Sequence, residues 1–162
     1  GWGGMYFYND CSQELRSLYA PFGIWLPRHS SEQVTVGSQV DKTALSTAAR
    51  IRYLMREGHP FMTIVYIGSH VFLYLGNFTN PNDPNHSKMA MTYQNIWGLS
   101  PKDHSHRSVI GKAVLFPLLA QYPEDSSLAS LASRHRFQLA FLDESRSVLK
   151  KPKIDLRSLM MP

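Results

Sequence analysis

Residues 61–75 form the longest apolar run in the chain, and Gly68-Ser69-His70 cuts that run in two. Both halves are rich in β-branched and aromatic residues, so they predict two strands, 61–67 and 71–75. Neither half approaches the ~18 uninterrupted apolar residues that a membrane-spanning helix needs. Strands this apolar must be buried, and 162 residues suffice for one domain with a core of its own. A hydrophobic share of 43% against 18% charged argues against a disordered chain.

The remaining elements assemble around this pair. Residues 88–97 alternate and predict a third strand, with Gly98 as its stop. Residues 108–118 predict a fourth, bent at Gly111. The Asn, Pro and Asp of 76–87 predict a loop, and 100–107 a second one. Ahead of the strands lie two helices. The first begins at Cys11, capped by Asp10 or Asn9, with Leu15, Leu18 and Tyr19 at helical spacing and Pro21 and Gly23 ending it. The second covers 43–56 and closes at Gly58 and Pro60. Between them, polar residues 29–39 hold Val34 and Val36 as a short extended piece. Beyond Pro123, 126–133 predict a short helix and 137–141 an apolar piece. Helices first and strands after, with no repeat, indicate an α+β fold with an antiparallel sheet. Residues 1–124 form its core. Residues 125–162 are an extension of the same domain that covers the sheet edge or hangs free, with a tail from about 150.

The chemistry starts from a single cysteine, which excludes an internal disulfide. Such a residue is either a small buried hydrophobe or a reactive thiol. Cys11 falls in the first turn of a helix, where the dipole favours a thiolate. A nucleophilic thiol also needs an imidazole from elsewhere in the fold. Of the seven histidines, His70 stands apart because it opens a strand and is held by it. His104 and His106 lack the spaced partners of a zinc site, so no metal is expected. The net charge of +5 suits an anionic partner, but the basic residues are dispersed except at Lys150, Lys151 and Lys153. Nucleic acid is therefore not the expected partner.

Several strings occur in a telling order. Gly1-Trp2-Gly3-Gly4 is followed by Asp10-Cys11-Ser12, then Leu26-Pro27-Arg28, then Gly68-Ser69-His70, and then Leu73-Tyr74-Leu75-Gly76. The order and gaps over residues 1–118 resemble the NlpC/P60 family of bacterial cell-wall cysteine peptidases, a compact branch of the papain-like superfamily. Asn95-Ile96-Trp97-Gly98 and Ile110-Gly111-Lys112-Ala113-Val114 resemble the subgroup with upstream bacterial SH3-like domains.

The resemblance implies a papain-like NlpC-type fold with N-terminal helices packed on an antiparallel sheet. It implies a cofactor-free endopeptidase that cleaves peptidoglycan stem peptides between γ-D-glutamate and the diamino acid, in the periplasm or outside the cell. Cys11 would be the nucleophile and His70 the general base and acid. Gln94 would orient the imidazole, in preference to His86 in its Pro/Asn loop. Asp10 and Ser12 match residues that hold the free amine of L-alanine. Trp2 and Tyr8 would line the substrate site, with Tyr6 or Tyr8 replacing an aromatic found ahead of Gly-Trp-Gly-Gly. Arg28 is expected to brace the helix, and Trp2, Trp25 and Trp97 to be core or cleft-wall aromatics. A wall-binding module with a decayed triad, and an amidase or toxin on the same fold, are the alternatives.

Overall fold

The computed structural model describes residues 9–81 and 83–144. The readings for Trp2, Tyr6, Tyr8, the Gly1-Trp2-Gly3-Gly4 string and the tail from about 150 lie outside the described residues. The helices are α1 (Cys11–Tyr19), α2 (Ser30–Gln33) and α3 (Thr47–Glu57). The strands are β1 (Ser38–Asp41), β2 (Thr63–Tyr66), β3 (Val71–Thr79), β4 (Lys88–Leu99), β5 (Ser108–Leu118) and β6 (Gln138–Phe141). They form one antiparallel sheet in the order β1-β6-β2-β3-β4-β5. The architecture is α+β, as the order of elements indicates. No helix of the described residues is long and apolar enough to cross a membrane.

Both faces of the central strands are covered, which explains their continuous apolar run. Ile64, Tyr66, Val71 and Leu73 point to one face, where they meet Leu15 and Tyr19 of α1 with Leu26 and Val34. Val65, Ile67, Phe72 and Tyr74 point to the other, where they meet Leu54 of α3 with Leu131 and Phe137. The helices thus pack on opposite faces of the sheet.

Glycine explains several departures from the sequence reading. Gly76 does not end β3: it sits at a bulge with φ +119, and the strand pairs with β4 as far as Thr79, which is matched to Lys88. Gly98 is not a stop either. It lies inside β4, where an added Cβ would stand 2.3 Å from the Ser108 carbonyl oxygen, so the residue serves close strand approach. The extra residue of that irregularity lies on β5, beside Gly111 at φ +66. The two strings 95–98 and 110–114 therefore face each other across one bulged strand pair.

Other corrections concern local competition. Val34 and Val36 are not in a strand. A short helix, α2, precedes Val34, and the extended piece is β1, further along. Helix α3 begins at Thr47 rather than 43, because Ser46 Oγ caps it by accepting the Ala49 N–H at 3.4 Å. Of 126–133 only Leu131–Ser133 is helical, as a 3-10 turn, since Asp125 holds the Ser127 N–H at 2.9 Å in a local turn instead. The apolar piece after it neither covers an edge nor hangs free: β6 lies inside the sheet, paired to β1 and β2.

Candidate active site

Asp10 has extended backbone and accepts the Gln13 N–H at 2.9 Å, so α1 starts at Cys11. The same carboxylate is gripped by Arg28, Nη2 to Oδ2 at 2.6 Å and Nη1 to Oδ1 at 3.2 Å. Arg28 Nη1 also donates to Ser12 Oγ at 2.8 Å, and that hydroxyl donates to Asp10 Oδ1 at 3.0 Å. The planar fork of an arginine fits this bracing better than a lysine would. Gln33 adds a second tie from α2, donating to the Ser12 carbonyl at 2.7 Å.

Strand β4 holds the helix from the other side. Asn95 Nδ2 donates to the Asn9 carbonyl at 2.7 Å, and Tyr93 donates its hydroxyl to Glu14. Gln94, between them in sequence, points to the opposite face and is 1% exposed. Its Oε1 lies 2.8 Å from His70 Nε2. The direction of each bond in this chain follows from its end. Thr92 Oγ1 donates to the Phe116 carbonyl at 2.6 Å and so accepts from Gln94 Nε2 at 3.0 Å. That turns the amide oxygen toward His70, and an amide oxygen only accepts. Nε2 of His70 therefore carries the hydrogen, and Nδ1 keeps its lone pair. His86, the other candidate orienter, is exposed at φ +52 in the loop after β3.

His70 is placed by the tight turn between β2 and β3, closed by Ile67 N–H to the His70 carbonyl at 3.0 Å. Gly68 in that turn has φ +104, and a Cβ there would fall 2.3 Å from His135 Cε1. Gly68→Ala is therefore expected to cost about 1–3 kcal/mol in thermal unfolding and to displace the His70 ring resonances in NMR spectra. Unchanged stability and an unmoved ring would show that the turn does not fix His70.

Cys11, His70 and Asp10 line one cleft of about 430 Å3, with Asn9, Asn95 and Trp97 among its walls. Cys11 is half-buried. Burial raises its pKa most; the Val71 N–H lowers it, the Asp10 charge raises it, and the Ser12 N–H lowers it, for a net rise. His70 keeps an open edge on the cleft, yet the protein packed around it holds its pKa down at about 4, with the Gln94 bond opposing and the Arg134 charge adding to the fall. At neutral pH the resting pair is a thiol and a neutral imidazole with a free Nδ1. This arrangement can accept a proton from the sulfur as the sulfur attacks, without a preformed ion pair.

A solved structure described as a novel NlpC/P60 endopeptidase from Photobacterium damselae subsp. piscicida matches this one with a TM-score of 0.76 at 31% identity. The chain carries the NlpC/P60 family fold. The match covers 91% of this chain and 36% of that one, so the chain spans a little over a third of that structure's length. No family model matches the sequence, and no curated protein does.

The predicted site residues divide. Cys11, His70 and Asp10 share the cleft, and Gln94 stands behind His70. Ser12 is not among the cleft residues: it is 4% exposed, with its hydroxyl set between Arg28 and Asp10. Trp97 is a cleft wall, but Trp25 is 69% exposed and belongs to neither core nor cleft. Sequence reasoning missed Thr92, although Thr92 and Gln94 stand two apart on one strand and so share a face. It also missed Arg107, which lines the cleft from the β4–β5 connection and carries no local signal.

Proposed function

We propose that this NlpC/P60 domain is a cysteine peptidase of peptidoglycan stem peptides, acting on the bond between γ-D-glutamate and the diamino acid. The observation that carries the reading is the cleft shared by Cys11, at the start of α1, and His70, whose far nitrogen is anchored on Gln94. Cys11 attacks the γ-glutamyl carbonyl while His70 Nδ1 takes the thiol proton. Backbone N–H groups of the first turn of α1 receive the developing oxyanion. His70 then returns the proton to the leaving amine, and water, activated by the same imidazole, hydrolyses the thioester. Asp10 meets the amine of L-alanine with a charge it shares with Arg28. The reaction takes place outside the cytoplasm, where its substrate is.

Gln94 lacks charge, so its contribution is orientation. Gln94→Leu removes the acceptor from His70 and the donor from Thr92. We expect kcat to fall by about 10²-fold with KM little changed, and stability to fall by about 1–3 kcal/mol. Wild-type kcat in that variant would show that the imidazole needs no anchor.

The reading is tested on purified peptidoglycan by counting new ends. A peptidase creates free amino groups without new reducing sugar ends, and alkylation of Cys11 abolishes the gain. Binding to the wall with no new ends would favour the non-catalytic wall-binding module.

A further inference from the structure

A second cavity of about 260 Å3 opens on the other side of His70. It shares Ser69, His70, Ile96, Trp97 and Arg107 with the first cleft, but Cys11 and Asp10 line only the first, and His104 and Arg134 only the second. The chemistry orients a substrate across the two. The acyl group stays on Cys11, and the leaving amine must reach His70 to collect its proton. The residue that departs therefore extends past His70 into the second cavity.

That cavity is basic. Arg107 and Arg134 both line it, and among the described residues that line it none is acidic. Arg134 is fixed where its side chain starts, since its carbonyl accepts from Arg50 Nη1 at 2.7 Å. Among the described residues, neither the Arg107 nor the Arg134 guanidinium has a hydrogen-bond or ion-pair partner, unlike Arg28 and Arg50. Ile67, Ile96, Trp97 and Leu131 supply apolar walls, which strengthen a charge interaction by excluding water. Two unpaired guanidinium groups beside apolar walls suit a planar anion that each can bind with two parallel N–H donors.

We propose that Arg107 and Arg134 form a carboxylate-binding subsite on the leaving-group side of His70, which selects stem peptides whose diamino residue carries a free carboxylate. The proposal rests on the peptidase reading above. The Arg134 charge disfavours an imidazolium at His70 in the empty site. A bound carboxylate offsets that charge as His70 becomes protonated, so the subsite couples recognition to proton transfer. The carboxylate has two possible sources: the C-terminus of a tripeptide stem, or the second carboxyl of diaminopimelate.

The test measures binding in the Cys11→Ala protein, so that it does not depend on turnover. Three peptides are compared by calorimetry: L-alanyl-γ-D-glutamyl-diaminopimelate, its C-terminal amide, and the analogue with L-lysine in third place. Weakening by about tenfold for the amide assigns the C-terminal carboxylate, and the same weakening for the lysine peptide assigns the side-chain one. In Arg134→Gln, and in Arg107→Gln, the discrimination is expected to shrink to within about threefold, with Arg134→Lys intermediate because it keeps charge but loses the fork. Equal affinity for all three peptides, no binding of any, or discrimination that survives in Arg134→Gln would overturn the subsite. Discrimination without any cleavage by the wild-type protein would support the subsite and overturn the endopeptidase reading instead.

Discussion

Replacing Cys11 with Ala is expected to lower muropeptide turnover by at least about 10³-fold, because among the described residues that line the cleft no other is placed as Cys11 is, at a helix start beside His70, to form the acyl intermediate. Asn9, Asp10, Ser69 and Asn95 stand near it, but none pairs a nucleophile with a base. The fold should survive. Cys11 packs only at the margin of the core between α1 and the sheet, and Asp10 caps the helix without help from the sulfur. The cost in unfolding free energy should stay below about 1.5 kcal/mol. Activity retained in this variant would require a different nucleophile and would end the mechanism. Lost activity together with a collapsed fold would point to a packing role for the thiol.

His70→Ala is the second large effect. General acid–base catalysis contributes about 10²–10⁴-fold, and loss of that order in kcat is expected. A fall confined to KM would argue that His70 only shapes the cleft. The pH dependence gives an independent readout. His70 lies at about 4 in the fold against an ordinary 6.5, so unfolding takes up a proton between those values. Stability contributed by the neutral ring is complete above pH 6.5 and lost as pH falls through about 4. The wild-type protein should therefore lose stability across that window, and His70→Ala should lose less. In the active enzyme, kcat/KM should hold down to about pH 4 and fall below it, where His70 is protonated and no longer a base.

Local signals located most of these groups. Asn9-Asp10 ahead of Leu15, Leu18 and Tyr19 is a helix start that needs no tertiary information, and it put Cys11 in the first turn. The broken apolar run put His70 at a strand mouth, because a tight turn between two buried strands leaves little else for Gly68-Ser69 to do. Gln94 came from the family resemblance rather than from the alternation of β4, which predicts a strand but does not say which of its faces meets His70. Other features were hidden for physical reasons. Gly76 and Gly98 read as stops because glycine also ends strands, and only the partner strand reveals that they serve bulges and close approach. Strand β6 was illegible because four residues flanked by polar segments acquire strand character from β1 and β2 on either side. Arg134 lines a cavity with His70 because β6, which follows it, is paired into the sheet beside β2, so no spacing in the sequence connects them.

The most direct measurement is the mass of the products formed from purified tripeptide and tetrapeptide muropeptides. Release of L-alanyl-γ-D-glutamate, free or still joined to the sugar, with the diamino acid on the other fragment is the predicted result. Release of the whole stem peptide from the sugar, or no cleavage by a folded protein with its thiol intact, would contradict the endopeptidase assignment.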